Sequence, residues 1–155
     1  MSITFWQDVN RGKKGEQLVC RTFAAMGYEV KDTTGDESFF KDDVDLISAD
    51  GIKYEIKTDY KFASTGNFAI EESYTDVGGN HKSWLYKSKA DYFIFVDATD
   101  DSKFYSIAAD DLRHLVKTEH LKRVTKDEYY KFIDLALLPF GKYQSCFEII
   151  ETEVE

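Results

Sequence analysis

Apolar residues near the start of the chain recur at the spacing of a helix. Val19, Phe23 and Met26 are separated by four and then three positions, which places their side chains along one helical stripe. Gly27 follows directly, and glycine is favoured just beyond the end of a helix. We therefore predict a helix over residues 5–27.

Shorter apolar runs further along the chain predict strands. They cover residues 28–31, the two arms of a hairpin within 43–57, and residues 67–74, 92–96, 103–107 and 146–150. The run YFIFV at 92–96 contains no charged residue, which is typical of a central strand buried on both faces. In the strand 67–74, Phe68 and Ile70 should face the core, while Asn67 and Glu71 should face the other way.

Three further helices are predicted, over residues 83–91, 108–117 and 125–137. The last of these is indicated by a capping box, in which Thr125 and Glu128 would satisfy backbone N–H groups of the first helical turn. Pro139 would end that helix. The segment 76–83, which contains two adjacent glycines, is expected to be a connecting loop.

These elements predict a single α/β (α+β) domain over residues 1–155, with a mixed central β-sheet flanked by helices. Its core should span about residues 5–107. Residues 108–155 should add further helices and a strand, and their aromatic content is compatible with a homodimer surface.

The segment from Asp43 to Lys57 carries ionisable residues on a hairpin whose turn contains Asp50-Gly51. A two-residue turn would set Val44 opposite Lys57, whereas a three-residue loop, 49–51, would set Val44 opposite Ile56. The three-residue loop gathers the apolar side chains on one face and the charges on the other. The other register would bury charges at a cost of several kcal/mol. We therefore predict the three-residue loop.

In that register Asp45 lies across from Glu55, with the two Cβ atoms about 5 Å apart, and Asp43 lies across from Lys57. Two carboxylates at that distance repel each other unless a cation lies between them. Mg²⁺ is typically held by one or two carboxylates together with water and phosphate oxygens. The pattern favours a metal site on the hairpin; the alternative is a solvated face on which Asp43 and Lys57 form an ordinary ion pair.

Asp45, followed after nine residues by Glu55-Ile56-Lys57, resembles the motif of the PD-(D/E)XK nuclease superfamily. Glu16, in a helix ahead of the first predicted strand, is similar to a glutamate of the Holliday-junction-resolvase branch. The resemblance covers about residues 12–97. The chain departs from the family pattern at Val44, where proline is usual. Asp43 is a second aspartate beside the motif, so the choice of Asp43 or Asp45 as metal ligand stays open.

The resemblance implies a restriction-endonuclease-like core and a DNA endonuclease that depends on Mg²⁺ or Mn²⁺. Asp45 and Glu55, with the backbone carbonyl of Ile56, would hold the metal. Lys57 would orient water and stabilise charge, and Glu16 would add or support a ligand. The junction-resolvase branch usually works as a symmetric homodimer.

Other polar residues are candidates for substrate contact, because basic and polar side chains suit phosphate and sugar oxygens. The candidates are Lys13, Lys14, Asn67, Glu71, Lys82 and Lys87. Each has a plainer interpretation as part of a solvated surface, and Glu71 could instead add a metal ligand.

Composition limits these interpretations. The net charge of −9 argues against broad non-specific nucleic-acid binding, which normally requires a basic surface. No apolar run is long enough to cross a bilayer and no leader-like segment opens the chain, so a cytoplasmic protein without membrane association is expected. Cys20 and Cys146 lack metal-binding spacing and are expected to be buried, reduced thiols.

Three functions therefore stay open at this point. The first is a metal-dependent nuclease, which the complete Asp, Glu and Lys set favours. The second is a DNA- or protein-binding module that has lost catalysis on the same fold, which the acidic charge favours. The third is an unrelated α+β domain in which the motif is a coincidence. No residues that would read bases are apparent, so the preferred DNA structure or sequence is not predicted.

Overall fold

The computed structural model describes residues 5–33 and 42–152 of the chain, with side chains from residue 12 onward. The helices are α1 (Phe5–Ala25), α2 (Phe62–Thr65), α3 (Trp84–Lys87), α4 (Ala109–Thr118) and α5 (Phe140–Tyr143), and a 3₁₀ turn follows at Gln144–Cys146. The strands are β1 (Val30–Asp32), β2 (Leu46–Ser48), β3 (Lys53–Asp59), β4 (Asn67–Asp76), β5 (Gly79–Lys82), β6 (Tyr92–Asp97), β7 (Lys103–Ala108), β8 (Lys122–Glu128), β9 (Lys131–Pro139) and β10 (Glu148–Glu151). Most of the polar segment 32–42 lies outside the described residues.

The strands form two sheets. The first is six-stranded, in the order β1-β2-β3-β6-β7-β10, and it is mixed because β3 and β6 run parallel while its other neighbouring strands are antiparallel. The second is a four-stranded antiparallel sheet in the order β5-β4-β9-β8. The protein thus has the predicted α+β architecture, with a central mixed sheet flanked by helices.

Strand β6 lies at the centre of the six-stranded sheet and is buried on both faces, as its apolar run predicts. Ile94 and Val96 pack toward α1, in a cluster that includes Val19 and Phe23. Phe93 and Phe95 belong to the opposite cluster, which contains Phe68 and Ile70 of β4 and buried residues of α4. The six-stranded sheet is therefore the middle layer, between α1 on one side and the four-stranded sheet with α4 on the other.

Helix α1 lies close against β3. A Cβ atom added at Gly15 would overlap with Oγ1 of Thr58, so the helix and the strand can approach at this distance only with glycine at position 15. The stripe predicted for this helix is correct for Val19 and Phe23, which are buried. Met26 is 43% exposed because α1 ends at Ala25, before the stripe is complete.

The predicted helix over 125–137 is wrong, because β8 and β9 form an antiparallel hairpin there. Its turn is formed by Tyr129 and Tyr130, between the paired residues Glu128 and Lys131. The Thr125–Glu128 pattern resembled a capping box, but the alternation of Ile133 with the leucines that follow it is the period of a strand.

Two neighbouring segments also differ from the predictions. Residues 79–82 of the expected loop form strand β5, which pairs with β4. The helix expected over 83–91 is limited to the single turn of α3. Cys20 is half-buried and Cys146 is exposed, and both thiols are free, so the prediction of two buried cysteines is wrong for Cys146. No helix within the described ranges is long and apolar enough to span a membrane.

Candidate active site

The hairpin of β2 and β3 has the predicted register. Leu46 pairs with Tyr54 and Ile47 with Lys53, and the N–H of Ser48 donates to the carbonyl of Ile52 at 2.8 Å. The loop is therefore 49–51, and Gly51 has a φ of +89°, a left-handed conformation that glycine adopts without strain.

The regular ladder stops at Leu46, because Asp45 interrupts it. The N–H of Asp45 donates to the carbonyl of Tyr54 at 2.8 Å, and Oδ2 of Asp45 accepts the N–H of Ile56 at 2.8 Å. Two residues of one arm, Asp45 and Leu46, thus face Tyr54, as in a β-bulge. The pairs that we predicted beyond this point are not part of the observed ladder; they are Asp45 with Glu55, Val44 with Ile56 and Asp43 with Lys57.

Asp43 is directed toward α3 instead of Lys57. Its carboxylate lies 3.7 Å from Nζ of Lys87, and its carbonyl accepts the hydroxyl of Ser88 at 2.7 Å. The residue has a φ of +48°, outside extended strand geometry. The expected cross-strand pair of Asp43 and Lys57 is therefore wrong, since a cation from a different element neutralises Asp43.

Asp45 interacts with two other acids, Glu55 and Glu16. Glu55 is buried, with only 4% of its surface exposed. Burial raises the pKa of Glu55 well above 4.5; nearby Lys57 opposes this rise, whereas a hydrogen bond between the Asp45 and Glu55 carboxyl groups adds to it. Three carboxyl groups from α1, β3 and the segment before β2 therefore converge on one place.

Glu16 reaches this group from α1. The pKa of Glu16 is raised from 4.5 to about 7, first by burial and then by the nearby charges of Asp45 and Asp32. A hydrogen bond with Asp45 contributes as well. The side chain of Glu16 therefore belongs to the same acidic cluster as Asp45 and Glu55.

Lys57 is the cation of this cluster. Burial lowers its pKa, but the carboxylates of Glu55, Glu71 and Asp45 outweigh burial, so the net pKa lies above its usual value. Its Nζ lies 5.0 Å from the centre of the Trp84 ring, which is a cation–π distance. The group is therefore held charged and directed by an aromatic side chain of α3.

These residues line one wall of a cleft of about 1150 Å³. The opposite wall belongs to the four-stranded sheet and includes Glu71, Leu135 and Val124. Oε2 of Glu71 accepts the hydroxyl of Ser83 at 2.8 Å, which orients that carboxylate. Of the predicted substrate contacts, Asn67 and Glu71 therefore line the same cleft as the acids, on the face of β4 that the alternation predicts.

The four predicted lysine contacts lie elsewhere among the described residues. Lys13 and Lys14 are exposed on α1, and Lys14 borders a smaller cavity of about 260 Å³. Lys82 is exposed on β5, and Lys87 is paired with Asp43. The structure thus does not bring these lysines into the cleft.

Two residues that shape the site were not among the predicted site residues. Trp84, which falls within the helix predicted over residues 83–91, contacts Lys57. Thr33, whose hydroxyl donates to the carbonyl of Val44 at 2.5 Å, fixes the segment that leads into Asp45. No local signal in the sequence identifies Trp84, because its contact with Lys57 joins distant parts of the chain. Thr33 lies in the polar segment 32–42, to which the sequence assigned no role.

Within the described ranges, no three His, Cys, Asp or Glu side chains are arranged as a ready-made metal cage. The three acids instead lie within electrostatic reach of one another around Asp45. This donor set of carboxylate oxygens still fits Mg²⁺ or Mn²⁺, because such ions take one or two carboxylates and complete their shells with water and substrate oxygens.

Comparisons with known proteins agree with the architecture. No protein-family model matches the chain, and no match among curated proteins was found. Among solved structures the chain is similar to I-Ssp6803I, a bacterial homing endonuclease, with a TM-score of 0.50 and 22% sequence identity. The similarity covers 66% of this chain and 70% of that one. At this level of identity the likeness shows the fold alone, so the protein has a fold that it shares with a nuclease.

Proposed function

We propose that this protein is a metal-dependent nuclease that hydrolyses phosphodiester bonds of DNA. One observation carries the proposal: Asp45 interacts with both Glu16 and Glu55 on the wall of a cleft that also contains Lys57. Acids that are buried together raise each other's pKa and destabilise the ionised protein. Such an arrangement is retained where chemistry uses it, and the fold shared with a homing endonuclease supports this chemistry.

The residues proposed to hold Mg²⁺ or Mn²⁺ are Asp45 and Glu55, with the backbone carbonyl of Ile56, as in the PD-(D/E)XK motif. Glu16 would support them from α1. When bound, the ion would supply Lewis acidity, which lowers the pKa of a water molecule and neutralises phosphate charge. Asp43 is not proposed as a ligand, because Lys87 already neutralises its carboxylate.

The protein's own groups contribute positioning and charge. The N–H of Ile56 fixes one oxygen of Asp45, so this acid is held in place before any substrate binds. The ammonium of Lys57 would orient the attacking water and stabilise the negative charge that develops on the phosphate. Trp84 keeps this ammonium over its ring, which limits the directions that Lys57 can take.

The same site supports one candidate substrate class within DNA. Glu16, which resembles the helix glutamate of junction resolvases, supports a four-way junction as one candidate substrate. In that case the protein would work as a homodimer, since the two strands of a junction are cut by symmetric subunits. A cytoplasmic location is the corresponding expectation.

The test is a cleavage assay with Mn²⁺ or Mg²⁺ on supercoiled, linear duplex, single-stranded, flapped and four-way-junction DNA. Lys57→Ala should reduce turnover by at least about 100-fold, the scale observed when one charge-stabilising group is lost. Lys31→Ala, which removes an exposed lysine of β1, is the matched control and should cleave as the parent does. Equal turnover by Lys57→Ala and the parent would reject the proposed role of the site.

A binding module without catalysis is the second candidate function, and it predicts different results in the same assays. The net charge of −9 is the observation that favours it. That function predicts DNA or protein binding with no cleavage of any substrate by the parent, at any concentration of Mn²⁺. Calorimetric titration of Mn²⁺ into the parent and into Glu55→Gln separates the cases further, because only a metal site at Glu55 predicts a difference between them.

A further inference from the structure

The outer end of the four-stranded sheet carries an aromatic and basic group that the site chemistry does not use. The rings of Tyr74 and His81 stack with centroids 4.9 Å apart and an angle of 27°. Nζ of Lys131 lies 4.7 Å from the centre of the Tyr74 ring. We refer to Tyr74, His81 and Lys131 as the Tyr74 cluster. It joins β4, β5 and β9 at the end of the sheet opposite Asn67.

The Tyr74 cluster lies on the same face of the sheet as the cleft. Glu71, which lines the cleft, pairs with Leu135, and Tyr74 pairs with Ile133, two residues before Leu135 in β9. A bulge between Glu71 and Ser73 makes this alignment possible, because without the extra residue Tyr74 would face the other side. The bulge therefore directs Tyr74 to the surface that leads into the cleft.

The turn beyond this cluster is conformationally strained. Tyr129 and Tyr130 have φ values of +52° and +62°, which non-glycine residues other than Asn and Asp rarely adopt. Two-residue hairpin turns of this type favour Asn-Gly. The side chain of Tyr130 is fully exposed, so packing within the chain does not compensate for the strain. Strain of this kind is typical of positions that serve binding.

The charge on this face indicates what kind of ligand suits it. Lys126 is paired with Glu128, and His81 with Asp76 at 3.0 Å, so much of the positive charge is already neutralised. Duplex DNA is bound mainly by neutralising phosphates with free basic side chains. Single strands are bound by basic side chains together with aromatic rings on which unpaired bases stack, so that stacking supplies a part of the affinity that a duplex cannot use.

From these observations we propose that the Tyr74 cluster and the Tyr129–Tyr130 turn bind a single-stranded segment of DNA and lead it into the cleft. The substrate of the site is then DNA with an unpaired stretch, such as a flap, a loop or a single-stranded end. Bases stack on Tyr130 and on the face of His81 that is turned away from Tyr74, and Lys131 contacts a phosphate. This inference rests on the proposed function, because the bound strand is led to the proposed nuclease site. Binding of the single strand can nevertheless be measured without cleavage.

The first test measures binding without metal. Fluorescence anisotropy in EDTA compares an oligothymidylate of about 20 nucleotides, longer than the roughly 4–16 nucleotides of a typical single-strand site, with a duplex of the same length. We expect the single strand to bind at least about tenfold more tightly than the duplex. Tyr74→Ala/Lys131→Ala should lose about tenfold or more of this affinity, since the ring that holds His81 in its stacking position and one phosphate contact are removed.

Two variants control for indirect effects. Tyr74→Phe keeps the aromatic ring and should retain most of the affinity. Tyr28→Ala/Lys31→Ala removes an exposed tyrosine and an exposed lysine near the end of α1 and should bind as the parent does. If Tyr74→Phe loses as much affinity as Tyr74→Ala/Lys131→Ala, stacking is not the basis of binding and the proposal is overturned.

A second test does not depend on whether the cluster tolerates substitution. Tyr129→Asn/Tyr130→Gly gives the turn its favoured residues, so the thermal unfolding midpoint should rise. Affinity for the single strand should fall at the same time by about fivefold or more. A more stable variant with unchanged affinity overturns the role of the turn. A variant that changes only the oligomeric state, measured by size-exclusion chromatography with light scattering, shows instead that the tyrosines serve self-association.

The outcomes separate this inference from the proposed function. Equal affinity for single strand and duplex, or equal single-strand affinity of the parent and Tyr74→Ala/Lys131→Ala, overturns the inference even if the protein cleaves DNA. Selective single-strand binding without cleavage by the parent in Mn²⁺ supports the inference and rejects the nuclease. Cleavage confined to unpaired DNA, and weakened in the Tyr74 variant but not in its control, supports both.

Discussion

Oδ2 of Asp45 accepts a hydrogen bond from the backbone N–H of Ile56 at 2.8 Å. The side chain takes the position that a strand carbonyl would occupy in a regular ladder, and β2 therefore begins only at Leu46. The bond attaches this acid to the strand that carries Glu55 and Lys57. One contact thus interrupts the sheet and sets the geometry of the acidic cluster.

Two substitutions of Asp45 separate the effect of this contact on stability from the effect of the carboxylate charge on activity. Asp45→Asn keeps an oxygen that accepts the Ile56 N–H, so we expect a small change in the free energy of unfolding. Asp45→Ala leaves that N–H without its acceptor and should cost about 1–3 kcal/mol. Both variants remove the charge and should lose at least about 100-fold in turnover. Urea unfolding and cleavage rates measure the two effects; an active Asp45→Asn variant would contradict the role of the charge.

Glu16 should make the stability of the metal-free protein depend on pH. Burial, followed by the charges of Asp45 and Asp32, raises its pKa from 4.5 to about 7. Between these values the folded chain keeps a proton that the unfolded chain releases. The contribution of Glu16 to stability is therefore fully present below about pH 4.5 and is lost as the pH rises through about 7.

Glu16→Gln removes this titration and serves as the reference. In EDTA, the free energy of unfolding of the parent should fall relative to that of Glu16→Gln as the pH rises from about 5 to about 8. Mg²⁺ should reverse part of this loss in the parent at the higher pH, because it binds the ionised acids. A difference between parent and variant that does not change with pH would show that Glu16 titrates as an ordinary surface acid.

The approach of α1 to β3 gives a prediction that involves no ionisable group. Gly15→Ala should destabilise the protein by about 1–3 kcal/mol, since the new methyl group would overlap with Oγ1 of Thr58. Among the buried side-chain atoms described, Oγ1 of Thr58 has no hydrogen-bond partner, so Thr58→Ala should cost little. The double variant should recover the parent's stability, because alanine is also the better helix former. If the losses of unfolding free energy in Gly15→Ala and Thr58→Ala simply add in the double variant, the two positions do not touch.

Arg113 of α4 should position the aromatic residue beside Lys57. Its Nε donates to the carbonyl of Leu85 and its Nη2 to the carbonyl of Ser88, both at 2.7 Å, which fixes α3 and therefore Trp84. Arg113→Ala should cost about 2 kcal/mol or more in stability and lower kcat by about tenfold. Arg113→Lys should restore little, because one ammonium does not reproduce the two-pronged contact.

Arg123 provides the matched control for this prediction. It hydrogen-bonds to Glu72 at 2.8 Å, to the carbonyl of Val116 at 2.9 Å and to the carbonyl of Leu121 at 3.2 Å, but these bonds do not reach α3. Arg123→Ala should lose comparable stability and retain more of the kcat. Equal losses of kcat in the two variants would mean that the effect of Arg113 is only a general loss of stability.

The features that the sequence predicted correctly have local causes. The register of the β2–β3 hairpin follows from Asp50-Gly51 and from the alternation of Leu46 and Tyr54, all within one short segment. The burial of β6 follows from its uninterrupted apolar run. The convergence of Glu16 with the hairpin acids came from the family resemblance, and the structure places these acids together.

The features that the sequence did not predict depend on distant contacts or on competing local signals. Asp43 pairs with Lys87, which belongs to α3 and reaches the hairpin only through the tertiary fold. Trp84 and Lys57 meet for the same reason. The β8–β9 hairpin was missed because Thr125 and Glu128 match a helix start, although the alternation that follows them is that of a strand.

The parallel pairing of β3 with β6 has a consequence for the order of folding. Tyr54 and Tyr92 are paired across a gap of 38 positions, and the whole β4–β5 hairpin lies in between. The β2–β3 and β4–β5 hairpins can close locally. Strand β3 gains its parallel neighbour β6 only after a long loop has closed, and closing this loop is entropically costly and slow. During synthesis, β3 has to wait until β6 has left the ribosome, so a partly made chain holds its acids without the support of the finished sheet. Recovery of the proposed cleavage activity during refolding should therefore follow the closure of this long loop.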